Sequence, residues 1–122
     1  MVGIVLISHS SGLAAGAAEL AGQIAGGARV VPAGGTEDGR LGTSTERIAA
    51  AIEAADTGDG VLLIPDLGSA VLSAKLVLDD GVVLADAPFV EGAVAAAVAA
   101  SGGLDLRAVA DDAEEARDVR KL

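Results

Sequence analysis

Four short aliphatic runs, Val2–Ser8, Arg29–Ala33, Val61–Pro65 and Val82–Ala87, alternate along the chain with stretches whose apolar residues recur at helical spacing. That alternation leaves few folds open. A strand that is apolar at every position, as Val2–Ser8 nearly is, must be covered on both faces, which is the situation of a parallel sheet between two layers of helices. Strand–helix–strand order joins parallel strands by crossovers of one hand. The expectation is an α/β fold, three-layered and doubly wound, with a mainly parallel sheet in the order 2-1-3-4 and helices on both faces.

Five helices are expected between and after these strands. Ser11–Ala25 carries Leu13, Ala17, Leu20, Ala21 and Ile24 on one stripe and ends at Gly26-Gly27. Thr43–Ala55 turns Ile48, Ala51, Ile52 and Ala55 inward, and Thr43 with Glu46 has the form of a capping box. Ser69–Asp80 is expected to bury Leu72 and Leu76. Val90–Ser101 is apolar nearly all round, as a buried helix is, and Glu91 in its first turn suits the helix dipole. The last helix, Asp105–Arg120, has its acidic residues ahead of its basic ones, again in the order that suits the dipole. The 122 residues fit a single domain, 1–122, with no internal repeat, low-complexity tail or linker.

Composition removes whole classes of function. A formal net charge of −10, with Phe89 as the sole aromatic, leaves no basic surface for phosphates and no platform for bases, so no nucleic-acid partner is expected. An acidic chain suits a partner with a basic face instead. There is no cysteine, which excludes disulfides and thiolate metal sites, and one histidine makes a transition-metal site unexpected. No cofactor is expected. The first apolar run lacks a basic segment before it, and no apolar stretch approaches the roughly 20 residues that cross a bilayer, so the expectation is a cytoplasmic protein without membrane contact. The glycine loops G-x-x-x-x-G-K-[ST] and G-x-G-x-x-G are missing, as is the G-x-S-x-G of hydrolases.

His9, the only histidine, ends the first strand in Ser8-His9-Ser10-Ser11-Gly12. The carboxyl end of a strand is where ligands gather in such sheets. Two other strand-to-helix loops carry polar residues: Gly42-Thr43-Ser44 and Pro65-Asp66-Leu67-Gly68-Ser69. In the order 2-1-3-4, strands one and three are neighbours, and His9 and Asp66 face each other across the crevice between them. A carboxylate bonded to one imidazole nitrogen fixes the tautomer and stabilises positive charge, leaving the other nitrogen as a nucleophile. A phosphoryl group in transfer carries charge on its oxygens, and the helix N-termini at Ser10–Gly12 and Thr43–Ser44 offer it N–H groups and hydroxyls. Competing readings stand beside these. His9 has a purely structural reading, Asp66 that of a cap on the third helix, and Thr43 and Ser44 that of caps on the second.

The segments Val5-Leu6-Ile7-Ser8-His9-Ser10, Gly42-Thr43-Ser44, Pro65-Asp66-Leu67-Gly68-Ser69-Ala70 and Ala87-Pro88-Phe89-Val90-Glu91-Gly92 together resemble the phosphocarrier subunits of phosphoenolpyruvate-dependent dihydroxyacetone kinases. That family is similar in fold to the IIA domains of mannose-type sugar phosphotransferase systems. The resemblance runs over essentially the whole chain. It implies a homodimer in which His9 accepts a phosphoryl group from Enzyme I by way of HPr, and Asp66 orients the imidazole. Ser10, Ser11, Gly12, Thr43, Ser44, Gly68 and Ser69 would then line the phosphate site. The phosphoryl group passes to ADP held by a partner subunit, and the ATP formed phosphorylates dihydroxyacetone on a third. Larger relatives carry appended domains resembling HPr and part of Enzyme I, so this chain is expected to draw on free HPr. Two alternatives remain: a mannose-type IIA component of a sugar transporter, and a non-catalytic α/β module binding a small anion or a regulatory partner.

Overall fold

A computed structural model describes every residue from Met1 to Leu122. The strands are β1 (Gly3–Ser8), β2 (Arg29–Gly34), β3 (Val61–Pro65) and β4 (Val82–Leu84). The helices are α1 (Ser11–Ile24), α2 (Thr45–Ala55), α3 (Gly68–Lys75), α4 (Phe89–Ser101) and α5 (Leu106–Glu115), the last followed by a 3₁₀ turn, Ala116–Asp118. The sheet has the expected order β2-β1-β3-β4, and every pairing in it is parallel.

Period-two alternation divides the core. Val2, Ile4 and Leu6 with Leu62 and Ile64 point to one face, where alanines of α1, α4 and α5 cover them. Val5, Ile7, Val61 and Leu63 point to the other, against Ile48, Ala51 and Ala55 of α2 and Ala70 and Ala74 of α3. The bulk thus comes from the strands and the small residues from the helices. Each fully buried Leu, Ile or Val of the sheet contributes roughly 1.5–3 kcal/mol. No helix is long and apolar enough to cross a membrane.

Several expectations need correction. In α1 the buried residues are Ala14, Ala17, Ala18 and Ala21, while Leu13, Leu20 and Ile24 are exposed. Leu72 of α3 and Leu76 just beyond it are exposed, and Ala70 and Ala74 face the core. That helix also ends at Lys75 rather than Asp80. The N–H groups of Leu76 and Val77 turn back to the carbonyls of Ser73 and Ala74, tightening the chain into a turn before Gly81 at φ +76°. β4 stops at Leu84 instead of Ala87, as suits an edge strand with one neighbour. α4 buries most of its surface but leaves Val90 and Val98 exposed. Thr43 is not a helix cap: Ser44 is, accepting the N–H of Arg47 at 3.2 Å, which leaves no capping box with Glu46. Glu91 lies in the first turn of α4 and pairs with Lys121 at 3.0 Å, which holds its carboxyl below the usual carboxylate range.

Candidate functional site

The site forms where β1 and β3 end side by side. Ile7 is in register with Pro65, and the Asp66 N–H donates to the Ile7 carbonyl at 2.9 Å. From there β1 runs into α1 on one face and β3 into α3 on the other, so the two loops diverge and open the crevice of a doubly wound sheet. A third segment closes in: the Gly42 N–H donates to the His9 carbonyl at 2.8 Å, tying the loop after β2 to the imidazole-bearing turn.

His9 and Asp66 meet across this crevice. Nδ1 of the ring lies 3.0 Å from Asp66 Oδ1, with the His9 side chain 27% exposed and that of Asp66 9%. Oδ1 also accepts the Leu67 N–H at 2.7 Å. Oδ2 accepts the His9 backbone N–H at 3.0 Å and the Ser8 hydroxyl at 2.9 Å. Burial pushes the Asp66 carboxyl up, but the bonds from the His9 N–H, the Ser8 hydroxyl, the His9 ring and the Leu67 N–H outweigh it and hold the group below the usual carboxylate range. An ionised carboxylate can only accept, so Nδ1 is the protonated nitrogen of the neutral ring. Nε2 then bears the lone pair, and the Ser69 hydroxyl donates to it at 2.8 Å. Ser69 belongs to the first turn of α3, so the free nitrogen lies at a helix N-terminus that no side chain caps. An imidazole fixed in this way can act as a nucleophile or a base through Nε2.

Asp66 is therefore no cap of α3, whose N-cap is Leu67. The other sequence-derived residues sort by position. Ser69 reaches the ring, and Gly68 precedes it as the first residue of α3. Ser10 caps α1, accepting the Leu13 N–H at 3.2 Å, and Ser11 and Gly12 are exposed in the first turn of that helix. The Thr43 hydroxyl lies 2.6 Å from that of Ser73 in α3. Ser44 is buried, with its hydroxyl directed to the carboxylates of Glu37 and Glu46 at 3.4 and 3.3 Å. The imidazole thus gathers Asp66 and Ser69, while the hydroxyls of Ser10, Thr43 and Ser44 bind elsewhere. No three His, Asp or Glu side chains converge as a metal site would need.

Ser8 is the residue that sequence reasoning missed. Its signal was a break in alternation. Val2, Ile4 and Leu6 share a core-facing side of β1, and position 8 continues that side with a hydroxyl.

Fold and site together define an α/β domain with an aspartate-tethered histidine at the switch point of a parallel sheet. The chain belongs to the EIIA-man family, whose model, described as PTS system fructose IIA component, matches residues 3–110. Among relatives, it is 34% identical to the phosphotransferase subunit DhaM of the PTS-dependent dihydroxyacetone kinase of Lactococcus lactis, over 93% of this chain and 94% of that one. It is 38% identical to the phosphoryl donor subunit DhaM of PEP-dependent dihydroxyacetone kinase 2 of Listeria innocua, over 80% and 85%. The phosphoryl donor subunit DhaM of Escherichia coli is 37% identical over 99% of the chain, but the chain spans only 28% of that longer relative. The crystal structure of a protein of unknown function, EF1359, superposes with a TM-score of 0.82 at 36% identity, over 93% of both chains.

Proposed function

We propose that the chain is a phosphohistidine carrier, a phosphotransferase component that takes a phosphoryl group from phospho-HPr onto His9 and passes it to ADP on a partner subunit of dihydroxyacetone kinase. One observation carries the reading: the single histidine has Nδ1 tied to an ionised carboxylate and Nε2 presented beside an uncapped helix N-terminus. The names of the relatives support the substrate.

In the first step Nε2 attacks the phosphorus on the donor's phosphohistidine. The donor's P–N bond breaks as the new P–Nε2 bond forms, and the donor imidazole leaves with the electron pair. The His9 ring keeps its Nδ1 proton and becomes a phosphoimidazolium, whose charge faces Asp66. In the second step a terminal oxygen of ADP attacks, the P–Nε2 pair returns to the ring, and neutral His9 is regenerated. The bound ATP then phosphorylates dihydroxyacetone. The Ser69 hydroxyl, freed from the Nε2 lone pair, turns to a phosphoryl oxygen, and the Gly68 end of α3 supports the charge. Ser10, Ser11, Gly12, Thr43 and Ser44 shape the loops around it. The carrier unit is one domain, 1–122, and needs no cofactor of its own.

A homodimer belongs to the same proposal. Exposed Leu13, Leu20 and Ile24 of α1 and Val90 and Val98 of α4 offer aliphatic surface that a second copy would cover. Light scattering is expected to give about twice the chain mass of 11.8 kDa, and a monomer mass at working concentration would overturn the dimer.

The family model's description favours a second reading, a IIA component feeding a sugar transporter. One experiment separates the two. With phosphoenolpyruvate, Enzyme I and HPr, the wild type is expected to acquire acid-labile phosphate and His9→Ala none; label retained in His9→Ala would sink the assignment. Discharge to the ADP-loaded kinase subunit supports the kinase reading. Label that persists there points to the transporter, and no label at all leaves a binding module.

A further inference from the structure

We infer that Ser8 is a positioning residue for phosphoryl transfer, its buried hydroxyl locking the Asp66 carboxylate in the orientation that directs Nε2 of His9 outward. The inference rests on the carrier reading for its kinetic consequence but not for its geometry.

Ser8 closes β1 and is fully buried. A hydroxyl there, continuing a side that begins Val2, Ile4 and Leu6, carries a desolvation cost that only complete hydrogen bonding offsets. Both of its capacities are used. Oγ accepts the Ser10 N–H at 3.0 Å, so its own hydrogen is directed to Asp66 Oδ2 at 2.9 Å. No buried side-chain polar atom of the chain is left without a partner.

The arrangement around Asp66 shows why this bond matters. The carboxylate has four donors. Two are backbone N–H groups, of His9 and Leu67, and a third is the imidazole being oriented. Ser8 is the one donor supplied by a side chain outside the reacting pair. On Oδ2 it is balanced only by the His9 backbone N–H. Without it the carboxylate has one fixed donor on each oxygen besides the ring, and rotation about its Cβ–Cγ bond is less constrained. The ring proton on Nδ1 follows the carboxylate, so a loosened Asp66 loosens the tautomer and the aim of Nε2.

The test compares Ser8→Ala with Ser8→Thr, which keeps the hydroxyl. Three quantities are read on folded protein: the NMR titration of the Asp66 carboxyl, the His9 ring nitrogen shifts, and the rate of phosphate acceptance from phospho-HPr. In Ser8→Ala the Asp66 midpoint is expected to move to higher pH, because a donor to the ionised form is gone. The share of Nδ1-protonated ring falls, and acceptance slows by about 3- to 30-fold, the loss of one charge-assisted hydrogen bond. Ser8→Thr is expected to return all three towards wild type. A hydroxyl that merely braces the turn would lower Tm while leaving the Asp66 midpoint and the ring signals unmoved, and that outcome overturns the inference, as does equal loss in both variants. If the wild type accepts no phosphate, the carrier reading falls, and the Asp66 titration alone decides for or against Ser8.

Discussion

An amide at position 66 cannot do what the carboxylate does there. Four donors converge on two oxygens, and Asn offers one oxygen and an NH₂ that would face two donors with donors of its own. Either the ring or the side chain must turn away. Asp66→Asn is therefore expected to fold yet slow phosphate acceptance by up to on the order of 10⁴-fold, the loss that follows when an orienting carboxylate becomes an amide and the tautomer goes with it; single-turnover labelling measures it, and a wild-type rate would show that the His9–Asp66 contact is idle. The same residue sets a pH signature. Its folded carboxyl titrates below the unfolded value of about 3.9, so it contributes stability that is present above that value and lost as pH falls through the folded one. The stability gap between wild type and Asp66→Asn should narrow below about pH 4 in paired denaturation curves. This pair was legible in the sequence because strand order alone brings the ends of β1 and β3 together. The roles of Ser8 and Thr43 were not legible, since a hydroxyl's partner depends on a side-chain direction that spacing does not encode.

At the level of elements, one glycine governs how near α1 comes to the sheet. Gly34 ends β2 in register with Ser8. A Cβ there would lie 2.5 Å from the Ser10 carbonyl oxygen and 2.8 Å from both Ala14 Cβ and Ser11 Cα. Gly34→Ala must push the start of α1 outward, and with it the turn that carries His9. A loss of about 1–3 kcal/mol is expected, as for other overpacked sites, together with slower phosphate acceptance. Gly22→Ala is the control: it lies within α1 on the side away from Leu13, Leu20 and Ile24, a Cβ there meets nothing within 4 Å, and the change should stabilise the helix by about 0.5–1 kcal/mol. Equal thermal melts for the two variants would refute the close approach. This packing also explains where the sequence misled. The strands were legible because fully buried runs are apolar throughout. The inward faces of α1 and α3 were not, because helices drawn tight against a bulky sheet present Ala14, Ala18, Ala70 and Ala74 to it and leave Leu13, Leu20, Leu72 and Leu76 outside. Periodicity weighted by hydrophobicity then points to the wrong side.

For the whole molecule, the dominant fact is a net charge of −10 on a small chain. On the proposed carrier reading the chain meets a donor and an acceptor in turn through one imidazole, so encounter rates matter more than residence. A field of this sign speeds association with a basic face and slows it with an acidic one. Raising salt from about 10 mM to about 100 mM shortens the screening length from about 30 to about 10 Å. If the donor presents a basic face, the second-order rate of phosphoryl exchange should fall several-fold across that range. The rate at saturating donor should hardly change, because the bond exchange at Nε2 occurs inside a contact that salt does not screen. The two rates are separable by rapid-quench labelling over a range of donor concentrations. A second-order rate that rises with salt would mean that the donor is itself acidic. Recognition would then rest on apolar contact near the imidazole, where Leu67 stands 61% exposed next to Asp66, and Leu67→Asp would be the substitution that slows encounter.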